Sequence, residues 1–219
     1  MNEFPKKTFW TVISIIGVII AVVFISLIIK LFDRGHIIFT DVKTPDGPEL
    51  FSTDPILGAV SPSVVVVYFG NFTCEGCADL SRNLKSIVDK YPNDVTIIWK
   101  DFPNTTLNSE SSNAAISARC AQDQNKFWEY HDVLMSHQSD IGNDLYLAIS
   151  KELGLREGKF TRCVRSKKTE KYITESLNQV TTLNLTTAPT LFINNKRYTG
   201  NKTLPELETI IGDLIAGTK

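Results

Sequence analysis

The chain is 219 residues long, which leaves room for one domain of ordinary size plus extra segments. With 42% hydrophobic and 21% charged residues it has the composition of a globular protein with a packed core. Its net charge of -1 argues against nucleic acid as a partner. Its four cysteines, Cys74, Cys77, Cys120 and Cys163, are even in number, but a chain this long does not need disulfides in place of a core.

In chain order, the first element is an apolar run. Residues 9–32, from Phe9 to Phe32, carry no charge before Lys30. A run longer than about 18 residues spans a bilayer as a helix. A cleaved signal peptide has a shorter apolar centre and small residues at its cleavage site. Here the run passes into "IIKLFDRG" with no such site, so an uncleaved single-pass anchor is expected. Lys6, Lys7 and the terminal amine precede the span, whereas Lys30 and Arg34 follow it. The leading lysines place the N-terminus inside and the bulk of the chain outside the cytoplasmic membrane. Phe9 and Trp10 then serve as interfacial anchors.

Three parts follow from this: a tail with a transmembrane anchor over 1–34, a linker and lead-in over 35–60, and a domain over 61–219. The linker, "TPDGPELFSTDPILGAVSP", is dense in residues that set turns. "SVVVVYFG" then predicts a strand buried on both faces. "CADLSRNLKSIVDKY" has apolar residues at helical spacing, and "DVTIIWKDF" is a second strand. Such a strand–helix–strand unit gives a parallel pair with a right-handed crossover. A helical block follows, about 108–184, in "SSNAAISARCAQ", "NKFWEYHDVLMSHQ", "DLYLAISKELG" and "EKYITESLNQVTTL". Gly142, Gly154 and Gly158 punctuate it, and "RSKKTEK" from Arg165 reads as a solvated helix face. "TLFINNKRYTG" predicts a tight hairpin around Asn194 and Asn195, since asparagine tolerates left-handed backbone angles. "TLPELETIIGDLIAG" closes the chain as an amphipathic helix. The fold class is therefore α/β, with a helical insertion between the β-α-β and β-β-α halves of a mixed sheet.

The chemistry centres on C-x-x-C at Cys74-Glu75-Gly76-Cys77. Cys74 falls where the first strand ends and the helix begins. The first helical turn offers free N–H groups and the positive end of the dipole, which stabilise a thiolate. Cys74 is thus the candidate nucleophile. Cys77, nearly one turn on and facing inward, is the candidate resolving thiol. A zinc site would need Cys120, Cys163, His36, His131 or His137 as further ligands, and none of these forms a second close-spaced pair. Haem attachment fails because Ala78 follows Cys77. No metal and no organic cofactor is expected. His131, among the aromatic residues of "FWEYHD", reads as a packed residue, as do Phe127, Trp128 and Tyr130.

At this point the sequence resembles the DsbA-like thiol–disulfide oxidoreductases of the thioredoxin superfamily, in their membrane-anchored or secreted bacterial branch. The likeness runs through "DPILGAVSPSVVVVYF", "WKDFPN", "ARCAQDQNKFWEYHDVL", "LGLREGKFTRCVRS" and "APTLFINNKRYTG". It implies a thioredoxin fold with a helical insertion. It implies a cis peptide bond before Pro189, packed against the active-site pair, and a substrate chain held at Ala188 and Thr187. It also implies a structural disulfide between Cys120 and Cys163, a pair that the residues alone leave open as two buried thiols. The family's pattern is not fully kept. Proline commonly follows the first cysteine, where this chain has Glu75 and Gly76. An acidic residue often stands six positions before that cysteine, where this chain has Tyr68. Glu75 opposes a thiolate at Cys74, and Gly76 loosens the first turn, so a milder oxidant is expected.

The expected activity is the introduction of disulfides into exported polypeptides with cysteine pairs, with a redox partner resetting the active site. A reductase or isomerase using the same pair is the first alternative. A non-catalytic peptide-binding module is the second.

Overall fold

The computed structural model describes residues 16–26, 47–103 and 109–217. The chain divides into two compact units, Met1–Ile38 and Phe39–Lys219. In the first unit, residues 16–26 form helix α1. Its side chains are exposed, among them Val18, Ile20 and Phe24. No helix among the described residues is long and apolar enough to cross a membrane. The rest of the span expected over 9–32 lies outside them.

The second unit is built on a five-stranded sheet in the order β1-β3-β2-β4-β5. Its strands are β1 (Ile56–Gly58), β2 (Val64–Gly70), β3 (Val95–Asp101), β4 (Thr190–Ile193) and β5 (Lys196–Thr199). β2 and β3 are parallel, with Val66 opposite Ile97, and helix α2 (Glu75–Lys90) makes the crossover between them. β4 runs antiparallel to β2, with Val67 opposite Phe192. The sheet differs from expectation at one place. The lead-in contributes β1, an antiparallel edge strand with Ile56 opposite Ile98. Three residues are too short to show the alternation that reveals a strand.

The valine run of β2 has no polar face because both sides of the sheet are covered. On one side Val64, Val66, Tyr68, Ile97, Trp99, Leu191 and Ile193 pack with α2 and with helix α8 (Leu204–Gly217). α8 lays down Leu207, Ile211 and Ile215, at helical spacing. On the other side Val67, Phe69, Ile98 and Phe192 meet Leu50, Val180 and Leu185. The β4–β5 hairpin turns at Asn194 and Asn195, both with positive φ (45° and 68°), as a tight two-residue connection requires. Asn194 also accepts a hydrogen bond from the Val65 N–H at 2.8 Å, which stitches the turn to β2.

Between β3 and β4 the described residues form five helices, α3 (Glu110–Gln122), α4 (Phe127–Ser136), α5 (Asn143–Glu152), α6 (Glu157–Ser166) and α7 (Glu170–Thr182), with a 3-10 turn at Gln138–Asp140. Cys120 of α3 and Cys163 of α6 are joined by a buried disulfide, Cα–Cα 5.8 Å. Two local expectations are corrected here. "RSKKTEK" is not one helix face, because Lys167 takes a left-handed conformation (φ 50°) and separates α6 from α7. Gly158 lies inside α6 and does not punctuate the block.

The lead-in is tied down by charges that the sheet buries. Lys100 of β3 pairs with Asp54 at 2.6 Å, both side chains almost fully enclosed. Arg119 of α3 donates to Asp101 at 2.7 Å and to the Thr53 carbonyl at 2.9 Å. Asp101 also accepts the Trp99 indole N–H at 2.8 Å. Burial pushes the Asp54 carboxyl up and the Lys100 ammonium down, and their mutual attraction only partly offsets this.

Candidate active site

The site forms where β2 ends and α2 begins. Gly70 is the last residue of β2, and a Cβ there would come within 2.5 Å of the Trp99 ring, so only glycine lets the strand pass under Trp99. Asn71 then accepts from the N–H and the hydroxyl of Thr73, at 2.9 and 3.0 Å, and so folds the connecting turn. Cys74 follows as the N-cap of α2, in extended conformation (φ -102°, ψ 114°). Its sulfur accepts the Cys77 N–H of the first helical turn at 3.2 Å, a donor that the Cys74 carbonyl shares at 2.9 Å.

Cys74 and Cys77 are joined as a disulfide with Cα–Cα 5.2 Å. Their environments are unequal. Cys74 is half-buried, whereas Cys77 is 0% exposed. An incoming thiol can reach the first sulfur and not the second. The peptide bond between Ala188 and Pro189 is cis. The Ala188 carbonyl oxygen lies 3.5 Å from Cys74 Sγ, so this loop closes over the pair. Pro189 is buried, while Thr187 beside it is exposed and donates its hydroxyl to the Ala188 carbonyl at 3.2 Å. Gly76 faces the same loop: a Cβ built there would lie 3.8 Å from Pro189 Cδ and 3.9 Å from Asn201 Cβ. Glu75 is exposed on the first turn.

Tyr68 approaches the site from below. It is fully buried and donates to the Cys77 carbonyl at 2.8 Å, while the Ser81 hydroxyl reaches it at 3.4 Å. Burial pushes its phenol well above the ordinary tyrosine range. It therefore stays neutral at physiological pH. Around it, His131 packs edge to face with Phe72 and with Trp99, its ring centroid 4.8 Å from that of Trp99, while Phe72 and Trp99 meet tilted at 36°. His131 is thus part of an aromatic cluster.

The structure brings Cys74, Glu75, Gly76, Cys77, Tyr68, Ala188 and Pro189 together. Cys120 and Cys163 lie in the insertion, bonded to each other, which leaves neither free to complete a zinc site with the first pair. Among the described residues no group of three or more His, Cys, Asp and Glu could hold a metal ion.

Two neighbours of the site carry no signal in the sequence. Asn201 faces Gly76 from the segment before α8. Gln138, in the 3-10 turn of the insertion, donates from Nε2 to the Phe72 and Cys74 carbonyls, both at 2.9 Å. It lies 64 positions from Cys74, in "MSHQSD", which matches no motif.

An N-capping half-buried cysteine bonded to a buried partner, beneath a cis-proline loop on a β-α-β unit, defines a dithiol–disulfide site on a thioredoxin-type fold. The chain belongs to the Thioredoxin family, whose profile matches residues 51–213. It is 27% identical over 200 residues to a "Probable disulfide bond formation protein D" of Bacillus cereus, covering 85% of this chain and 89% of that protein. It is 26% identical over 179 residues to a "Na(+)/H(+) antiporter NhaA 1" of Salinispora arenicola, covering 82% of this chain. There it spans only 27% of the relative's length, so this chain corresponds to about a quarter of that antiporter. Among solved structures, it is similar to the thiol-disulfide exchange protein alpha-DsbA2 of Wolbachia pipientis, with TM-score 0.66 and 26% identity over 74% of this chain and 87% of that one. It shares its fold with BdbD of Bacillus subtilis, with TM-score 0.67 and 19% identity over 78% and 98% of the two chains.

Proposed function

We propose that this protein is a membrane-tethered thiol–disulfide oxidoreductase that introduces disulfides into exported polypeptides. One observation carries the reading: the half-buried Cys74 caps α2, is bonded to the fully buried Cys77, and lies 3.5 Å from the Ala188 carbonyl. A substrate thiolate attacks Cys74 Sγ, the Cys74–Cys77 bond breaks, and Cys77 leaves as a thiolate that takes up a proton. A second substrate thiolate then attacks the substrate sulfur of the mixed disulfide, and Cys74 leaves. The substrate loses two electrons and gains a disulfide, and the pair is left as a dithiol. A separate redox partner must reoxidise it. Substrate chain is held along Thr187 and Ala188, beside the attacked sulfur.

The tether is supported by the apolar run over 9–32, uncharged up to Lys30, and by the apolar, exposed surface of α1. The cluster of Lys6 and Lys7 supports an inside N-terminus and a domain outside the cytoplasmic membrane. Tagging each terminus and testing access to a membrane-impermeant thiol or protease reagent in intact cells checks this orientation.

The decisive test is the reduction potential of the Cys74–Cys77 pair, measured against glutathione, with Cys74→Ser as control. A value of roughly -120 to -180 mV is that of a disulfide donor. A value near roughly -270 mV reverses the direction and makes the protein a reductase. No exchange in either protein, with dithiol peptides also left unoxidised, leaves a peptide-binding module.

A further inference from the structure

We propose that Gln138 is a positioning residue for Cys74, through which the helical insertion sets the reactivity of the active-site turn. This rests on the thiol–disulfide reading above and names a part of its machinery outside C-x-x-C and the cis-proline loop.

The side-chain nitrogen of Gln138 donates to two backbone carbonyls, those of Phe72 and Cys74, both at 2.9 Å. These carbonyls frame the connecting turn on either side of Thr73. The Cys74 carbonyl also accepts the N–H groups of Cys77 (2.9 Å) and Ala78 (3.3 Å), the first bonds of α2. One amide group thus clamps the connecting turn at Phe72 and the N-cap of the helix at Cys74. The clamp holds Cys74 where its sulfur receives the Cys77 N–H at 3.2 Å. It also sets the positive end of an amide dipole against two carbonyl oxygens whose partial negative charge lies near a Cys74 thiolate. Both effects favour the thiolate, hence the reduced pair, hence a more oxidising disulfide. Gln138 is itself half-buried, against Met135 Sδ at 3.7 Å, so its aim is fixed by packing.

The test uses the full-length chain in detergent. Gln138→Met keeps the volume and removes the donors. Gln138→Glu keeps the shape and replaces donors by acceptors. Ser139→Ala, whose hydroxyl is directed at Asp140, is the control in the same turn. The glutathione equilibrium of the Cys74–Cys77 pair is expected to shift toward the disulfide by about threefold to tenfold in Gln138→Met, and further in Gln138→Glu. Alkylation of reduced Cys74 slows in the same order, and Ser139→Ala behaves as the unmodified chain. A purely structural role would lower the unfolding midpoint and leave the equilibrium of the folded protein in place. An unchanged equilibrium in both Gln138 variants overturns the inference while the oxidoreductase reading stands. Failure of the unmodified chain to equilibrate with glutathione at all overturns both.

Discussion

The Cys120–Cys163 disulfide gives the most quantitative prediction. It links α3 to α6 across a sequence separation of 43. In the chain-entropy relation, a loop of that length removes about 13 cal/mol/K from the unfolded chain, or about 4 kcal/mol at 25 °C. Both cysteines are buried, so replacing each by alanine also removes apolar contact, roughly 1 kcal/mol more in all. A domain with an ordinary stability of about 5–15 kcal/mol would lose a large part of it. Urea titration of the full-length chain, followed by circular dichroism, measures the loss for Cys120→Ala, Cys163→Ala and the double variant. Either single substitution already opens the loop. The double variant should therefore lose about as much as each single, not their sum. The Cys74–Cys77 pair should still exchange with glutathione in any variant that remains folded, because it is held by β2, α2 and the cis-proline loop. A loss under about 1 kcal/mol, or single losses that add up to the double, would refute the cross-link as the source of stability.

Other perturbations address the site and the buried charges. Cys77→Ser, supplied with a disulfide-containing peptide, should let the Cys74 thiolate attack one peptide sulfur and displace the other as a thiolate, with no Cys77 left to resolve the product, so mixed disulfides accumulate; their absence on non-reducing gels, with Cys74 still alkylatable, would contradict the assigned roles. Glu75→Gln should make the disulfide more oxidising by a modest factor, about twofold to fivefold in the glutathione equilibrium, since water screens this exposed charge; an unchanged equilibrium would show that Glu75 does not tune Cys74. Lys100→Met alone should cost about 3–5 kcal/mol in urea titration by stranding Asp54, whereas Asp54→Leu with Lys100→Met should recover most of that loss. The same pair predicts a pH dependence. Asp54 has a raised folded pKa, so stability falls as pH rises from its unfolded value of 3.8 through the folded value. Lys100 has a lowered folded pKa, so its stabilising share is present above its unfolded value of 10.5 and lost as pH falls through the folded value. The double variant should flatten the stability profile in both windows, and a profile unchanged by it would show that other groups govern acid and alkaline behaviour.

What could be read in advance was local. The valine run, the helical spacing of Leu80, Leu84 and Ile87, and the Asn194-Asn195 turn each carry their structural cause within a few residues. Cys74 and Cys77 are legible for the same reason, since the strand-to-helix switch that makes Cys74 an N-cap lies in the adjoining sequence. Pro189, Ala188 and the Cys120–Cys163 link came from resemblance, because nothing near them in the chain states what they face. The remaining features are tertiary. β1 exists because β3 offers it an edge. Lys100 and Asp101 look like the solvated end of a strand, yet they are 0% exposed, because Asp54 and Arg119 arrive from segments distant in sequence. Gln138 belongs with these: a single polar residue in a polar turn gives no sign of its acceptors.

The two active-site cysteines also show how the departures from the family pattern act on different steps. Glu75 bears on Cys74, where the opposing influences are the Cys77 N–H at 3.2 Å and the Gln138 amide behind the Cys74 carbonyl. Those donors are fixed and partly shielded from water, whereas Glu75 is exposed. A charge acting through water is weaker than a hydrogen bond held at contact, so the thiolate keeps its net advantage and Glu75 only trims it. Tyr68 bears on Cys77. A carboxylate at that position could take up a proton as the buried thiol ionises. Tyr68 is held neutral by burial and directs its proton to the Cys77 carbonyl, so it offers no basic site to take up that proton at neutral pH. Ionisation of Cys77 must then draw on solvent entering as the mixed disulfide forms or resolves. The substitution at Glu75 thus adjusts an equilibrium, and the one at Tyr68 adjusts the rate at which the buried cysteine can reach it.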